Sequence, residues 1–197
     1  MAERTRKTVA LGSGYTHILA YTGTLPGVKE IITQCTDDTR FGTTTGGASI
    51  TYTAETHKEE DDLGEVCRII TTKEEVKYKT GIFSWAPGML EKLVATYRTE
   101  TKDGYKISKI GGLANDDGKK YIVVFHHIDK SEGDLWCIIV GTNTAGFALA
   151  FAKDNVTKLE PEFTALPSDD EGTLVIIAEK AATPTGDQTQ DDQTDGG

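Results

Sequence analysis

A chain of 197 residues can hold one domain with a full hydrophobic core and is too short for two. Its formal charge of −10 excludes a protein that grips nucleic acid through clustered lysines and arginines, though not one that nucleic acid slides past. No apolar run approaches the ~20 residues that span a bilayer, and the basic start (Arg4, Arg6, Lys7) lacks the apolar stretch of a secretion signal, so synthesis and assembly in a cytoplasm are expected.

In chain order, period-two patterning dominates. Residues 1–14 read as an N-terminal arm and residues 15–182 as one β domain. Residues 15–21 (YTHILAY) and 28–32 are predicted as its first short strands, followed by a Gly- and Thr-rich loop over 37–47. Residues 49–57 (SITYTAETH) put Ile50, Tyr52 and Ala54 on one face and Thr51, Thr53 and Glu55 on the other, the pattern of a half-buried strand. Residues 57–64 (HKEEDDLG) form a charged turn and 65–71 (EVCRIIT) return as a strand, so that 49–70 make a long hairpin with an acidic tip. Residues 75–83 alternate again through Val76, Tyr78, Thr80 and Ile82. One helix is predicted, entered at Pro87, a residue suited to a first helical turn. Met89, Leu90, Leu93, Val94 and Tyr97 make an apolar stripe at helical spacing; with Trp85 just before them, they are assigned to a core between helix and sheet.

The remainder reads as strand after strand: 105–113, 120–128 (KYIVVFHHI), 135–140 (LWCIIV), 146–153 (GFALAFAK), 158–165 (KLEPEFTA) and 173–178 (TLVIIA). Pro161 cannot donate a ladder hydrogen bond, which predicts an edge strand or a bulge at that point. Short strands separated by turn signals indicate a mainly β fold, an antiparallel β-sandwich or open barrel with one flanking α-helix and a long protruding hairpin. From Thr183 onward there is no large apolar residue and there are four aspartates (Asp187, Asp191, Asp192, Asp195). Such a segment buries too little to offset its ordering entropy, so residues 183–197 are expected to be a disordered acidic tail. Without those four charges the rest of the chain carries −6 rather than −10.

Local motifs for chemistry are weak. Cys35, Cys67 and Cys137 are odd in number and dispersed, which predicts free, mostly buried thiols rather than a disulfide framework or zinc site. His126 and His127 are adjacent in a predicted strand and point to opposite faces, so they cannot share a metal. Gly12-Ser13-Gly14 and Gly46-Gly47 are not followed by the Lys and Ser/Thr of a phosphate loop. The acidic tip Glu59-Glu60-Asp61-Asp62 lacks the spacing of a calcium loop, and no nucleophile–base pair can be assembled locally. No catalytic residue, metal or cofactor is assigned.

The order of elements resembles the major tail protein of long-tailed bacteriophages, the family that builds the tail tube. The likeness is carried by a Gly/Thr-rich loop leading into SITYTAETH (49–57), then GEVCRII (64–70), TGIFSWAPGMLEKLV (80–94), DGKKYIVVFHHIDKSEGDLWCIIV (117–140) and KLEPEFTALPSDDEGTLVIIAEK (158–180), the last being the most family-like. The resemblance implies two antiparallel sheets with a flanking helix, six subunits closing a ring by sheet extension, and rings stacking into a tube. It implies a place in the virion tail, assembled in the host cytoplasm, with further copies of the chain, tape-measure and terminator proteins as partners and DNA passing unbound through the lumen. Glu55, Glu59, Glu60, Asp61 and Asp62 are then the first candidates for the lumen or ring interface, and Asp169, Asp170 and Glu171 the second, since carboxylates repel phosphate over about a Debye length. The competing expectations are a capsid decoration or tail terminator protein, and a monomeric β-sandwich binding module displaying Trp85 and Trp136.

Overall fold

The computed structural model describes residues 14–60, 67–84, 87–129, 133–149, 151 and 157–180. The expected N-terminal arm up to Ser13, Asp61, Asp62, Trp85 and the expected acidic tail 183–197 lie outside them.

Among the described residues, seven strands make one antiparallel sheet: β1 (Gly14–Ala20), β2 (Thr44–Glu60), β3 (Cys67–Ile82), β6 (Tyr121–His127), β7 (Leu135–Asn143), β8 (Glu162–Leu166) and β9 (Ile176–Glu179). Their order is β1-β6-β7-β8-β3-β2, with β9 paired to the first half of β7 and β8 to its second half. β4 (Arg98–Lys102) and β5 (Tyr105–Lys109) form a separate two-stranded ribbon. The sheet rolls up until its ends meet at a narrow seam. His17 bridges Arg40, and the Phe41 N–H donates to the Thr16 carbonyl at 2.7 Å. The fold is therefore mainly β and antiparallel, as expected, and the rolled sheet forms an open barrel.

Strand alternation sorts the core into two layers. Ile18, Val76, Tyr78, Val123, Phe125, Ile139 and Phe163 point inward and fill the barrel with Phe41 and Leu159. Their neighbours Leu19, Ile122, Val124, Trp136, Ile138 and Val140 point outward and are covered by α1 (Val28–Gln34), whose Ile31 has no exposed surface. β6 and β7 are buried on both faces, which is why IVVF and WCII read as unbroken apolar runs rather than alternating ones.

Several segments depart from expectation, and the strands expected at 65–71 and 75–83 are one, β3. Residues 28–32 are helical, not a strand: Val28, Ile31 and Ile32 stand at helical spacing, and packing on the outer sheet face decides a run too short for periodicity to settle. The helix expected from Met89 is only a 3-10 helix, Pro87–Lys92, followed by turns. Its stripe is core as expected: Leu90, Leu93 and Tyr97 are buried in the barrel cluster, with Met89 and Val94 packed on it. The β-branched and aromatic run after Ala95 favours extended backbone. It leads straight into β4, and an Asp103-Gly104 turn with both φ positive, at 53° and 81°, joins β4 to β5. The described part of 146–153 forms no strand, although Phe147 and Leu149 still pack against the core.

Pro161 precedes an interior strand, not an edge. It stands at the irregular step between the Leu159–Ile82 bridge and β8, where its carbonyl accepts from Thr80 N–H at 3.3 Å.

Candidate functional site

β2 and β3 stay paired far beyond the barrel. Burial stops at Ile50 on β2 and at Glu75 on β3, yet the ladder continues to the Glu60–Cys67 pair, with every described residue of this arm exposed. At strand rise, residues 51–60 extend about 30 Å. A bare two-stranded hairpin is marginal in water. Its own side chains support this one: Tyr52 Oη donates to Glu74 Oε1 at 2.6 Å, Lys73 Nζ meets Glu55 Oε1 at 3.1 Å, and the Thr72 hydroxyl donates to the Glu55 carbonyl at 3.1 Å. Ladder register slips between Glu55 and Thr56, leaving Thr72 as the extra residue of a bulge that sharpens the local twist.

The predicted face pattern holds at the root only. Ile50 packs against the core, while Tyr52 on the same face is 55% exposed and has lost any cover. Farther out, Ile69 and Ile70 are 63% and 43% exposed. No core of its own explains an apolar residue on each face of a solvated ribbon.

The predicted acidic residues are placed as follows. Glu55 pairs with Lys73, Glu59 with His57 at 2.6 Å, and Glu60 with Lys58 at 2.5 Å, so each of these three predicted carboxylates carries a nearby basic side chain. Asp169 belongs to another element, the turn after β8. Its Oδ1 accepts from Thr173 N–H at 2.9 Å and Glu171 N–H at 3.1 Å, and these bonds, those from Thr173 first, hold its carboxyl below the usual range. Asp170 and Glu171 are exposed in the same turn. β8 runs antiparallel to β3 through Lys77↔Thr164 and leaves the sheet after Leu166, so this turn stands where the arm parts from the body. Register thus puts both acidic groups on the arm side of the sheet, one at the root and one toward the end.

Cys67 is exposed at the arm's described end, against the expectation of mostly buried thiols; Cys35 is half-buried and Cys137 buried, as a thiol on an apolar strand face must be. The histidines of β6 separate as strand geometry requires. His126 stacks on Trp136 with centroids 4.9 Å apart and meets Asp134 at 3.1 Å, while His127 is buried on the other face. At the barrel seam His17 is 3% exposed, with Nδ1 3.1 Å from the Thr39 hydroxyl. Burial lowers its pKa first, and nearby His126 and Arg40 lower it further, against a smaller pull from Asp37. Arg40 is itself held by Asp37 at 2.7 Å and lies 3.8 Å over the Tyr15 ring. Among the described residues no three His, Cys, Asp or Glu side chains converge as metal ligands do.

One surface escaped sequence reading. The β4–β5 ribbon carries Arg98, Lys102, Lys106 and Lys109 beside Tyr105, which is 72% exposed. The Asp103-Gly104 dipeptide is the available signal, and it lies just beyond the apolar stripe that ends at Tyr97. No family model matches the chain, and no curated protein matches it.

Proposed function

We propose that this chain is a structural subunit that assembles with copies of itself into stacked, hexameric rings, a tube of the bacteriophage-tail type with an acidic lumen through which DNA passes. The observation that carries the reading is the arm. A hairpin that projects about 30 Å while exposing Tyr52, Ile69 and Ile70 is costly in an isolated molecule and reasonable where a neighbour covers it. The rolled sheet supports the same reading. β2 is a terminal strand with one edge unpaired among the described residues, and sheet extension between copies satisfies such an edge without charging it. In this reading the tube lies in the virion tail, is assembled in the host cytoplasm and meets tape-measure and terminator proteins at its ends. Catalysis plays no part. Of the two tryptophans that the binding-module alternative would display, Trp136 is buried at 7% exposed and Trp85 lies outside the described residues.

Negative-stain electron microscopy of the full chain tests this. Hollow tubes or stacked rings are expected; icosahedral decoration only, or particles that never form rings, would overturn it.

A further inference from the structure

We propose that the β4–β5 ribbon is the docking site for the acidic end of the β2–β3 arm of a second copy of this chain. The inference rests on the self-assembly reading and names the surface that reading leaves open.

Among the described residues the ribbon's two strands pair only with each other, and all of β4 is exposed. In a chain of net charge −10, its strands and turn carry four cations (Arg98, Lys102, Lys106, Lys109) against Glu100 and Asp103. Lys109 is tied to Glu100 at 2.7 Å, and Arg98 donates to the Gly111 carbonyl at 3.2 Å. Lys102 and Lys106 have no ion-pair partner among the described residues. The Lys102↔Tyr105 and Thr101↔Lys106 pairs place both lysines at the turn, on opposite faces and flanking exposed Tyr105.

The arm supplies the complement. Its ladder ends at Glu60, and residues 59–65 hold five carboxylates (Glu59, Glu60, Asp61, Asp62, Glu65) and no basic residue. Exposed Ile69 stands two residues from Cys67, near enough to that end to add apolar contact beside Tyr105. The pairs that neutralise Glu59 and Glu60 within one copy, to His57 and Lys58, are solvent-exposed and weak, and exchange readily for intermolecular ones. Opposite charge at both ends of the contact steers encounter and fixes register. A projection of about 30 Å gives the arm the reach to meet a neighbour.

The test uses charge-reversed full-length variants, Lys102→Glu/Lys106→Glu and Glu59→Lys/Glu60→Lys, and the quadruple variant carrying both changes. Each double variant is expected to weaken self-association about tenfold or more by light scattering at low salt, and the quadruple variant to regain most of it, because the pairing is restored with its polarity swapped. All four positions are exposed, so circular dichroism should be unchanged. A quadruple variant no better than either double, or a lysine variant that assembles normally and loses only retention on duplex DNA, overturns the docking while leaving self-assembly standing. A wild type that never associates overturns the self-assembly reading itself.

Discussion

The hydroxyls of Thr16 and Tyr78, 62 residues apart in the chain, meet at 2.6 Å inside the barrel. The two strands that carry them, β1 and β3, are not neighbours in the sheet, so this bond spans the interior. Both residues are essentially without exposed surface, at 0% and 1%. Replacing Tyr78 by Phe strands a buried hydroxyl, and the expected loss is about 1–2 kcal/mol in urea unfolding. Adding Thr16→Val should recover part of it; additive losses in the double variant would show that the bond contributes nothing.

Acid should loosen the seam. Because burial disfavours the charged form of His17 in the folded state, the unfolded chain binds more protons as pH falls through the ordinary histidine value of about 6.5, and stability falls with it. More than about one pH unit above that value this histidine contributes almost no slope. The unfolding midpoint is expected to drop more steeply from about pH 7.5 to about pH 5.5 in the wild type than in His17→Gln, whose other histidines are unchanged. Parallel slopes would assign the acid sensitivity elsewhere.

Thiol chemistry separates the arm from the body. Burial pushes the Cys35 thiol up to about 11 and raises that of Cys137, whereas Cys67 is exposed. One fast-reacting thiol per folded chain is expected with a chromogenic disulfide reagent, abolished by Cys67→Ser. In assembled material that thiol should be protected; equal reactivity in both forms would place the arm's end outside any contact.

The arm and the barrel should also respond differently to mutation. Ile69→Ser/Ile70→Ser touches no core, so monomer stability is expected to change by no more than about 0.5 kcal/mol while assembly weakens. Val76→Ala, only six residues beyond Ile70 but fully buried, should cost about 1–3 kcal/mol in the monomer. A large stability loss from the isoleucine pair would mean that the arm folds back on its own body.

Much of this architecture was legible because strand alternation and turn chemistry are local. β1, β6, β7 and the hairpin around the acidic tip follow from period-two runs and their flanking turns. What the sequence concealed was decided by packing at a distance. Val28, Ile31 and Ile32 become a helix because the outward faces of β6 and β7 need a cover, and nothing within five residues announces that. The stripe from Met89 to Tyr97 was rightly assigned to the core, yet its spacing does not distinguish an α-helix from a 3-10 turn bent around the same apolar pocket. At the candidate site, the acidic residues were visible but their partners were not. Glu55 finds Lys73, and Asp169 closes its own turn, only through register and backbone geometry.

Self-association of the unmodified chain is the most direct check on the central claim, and sedimentation velocity across a wide concentration range reads it. The account predicts large species that grow with concentration, built on a ring of six. A single species of 21.3 kDa at every concentration and salt would contradict it.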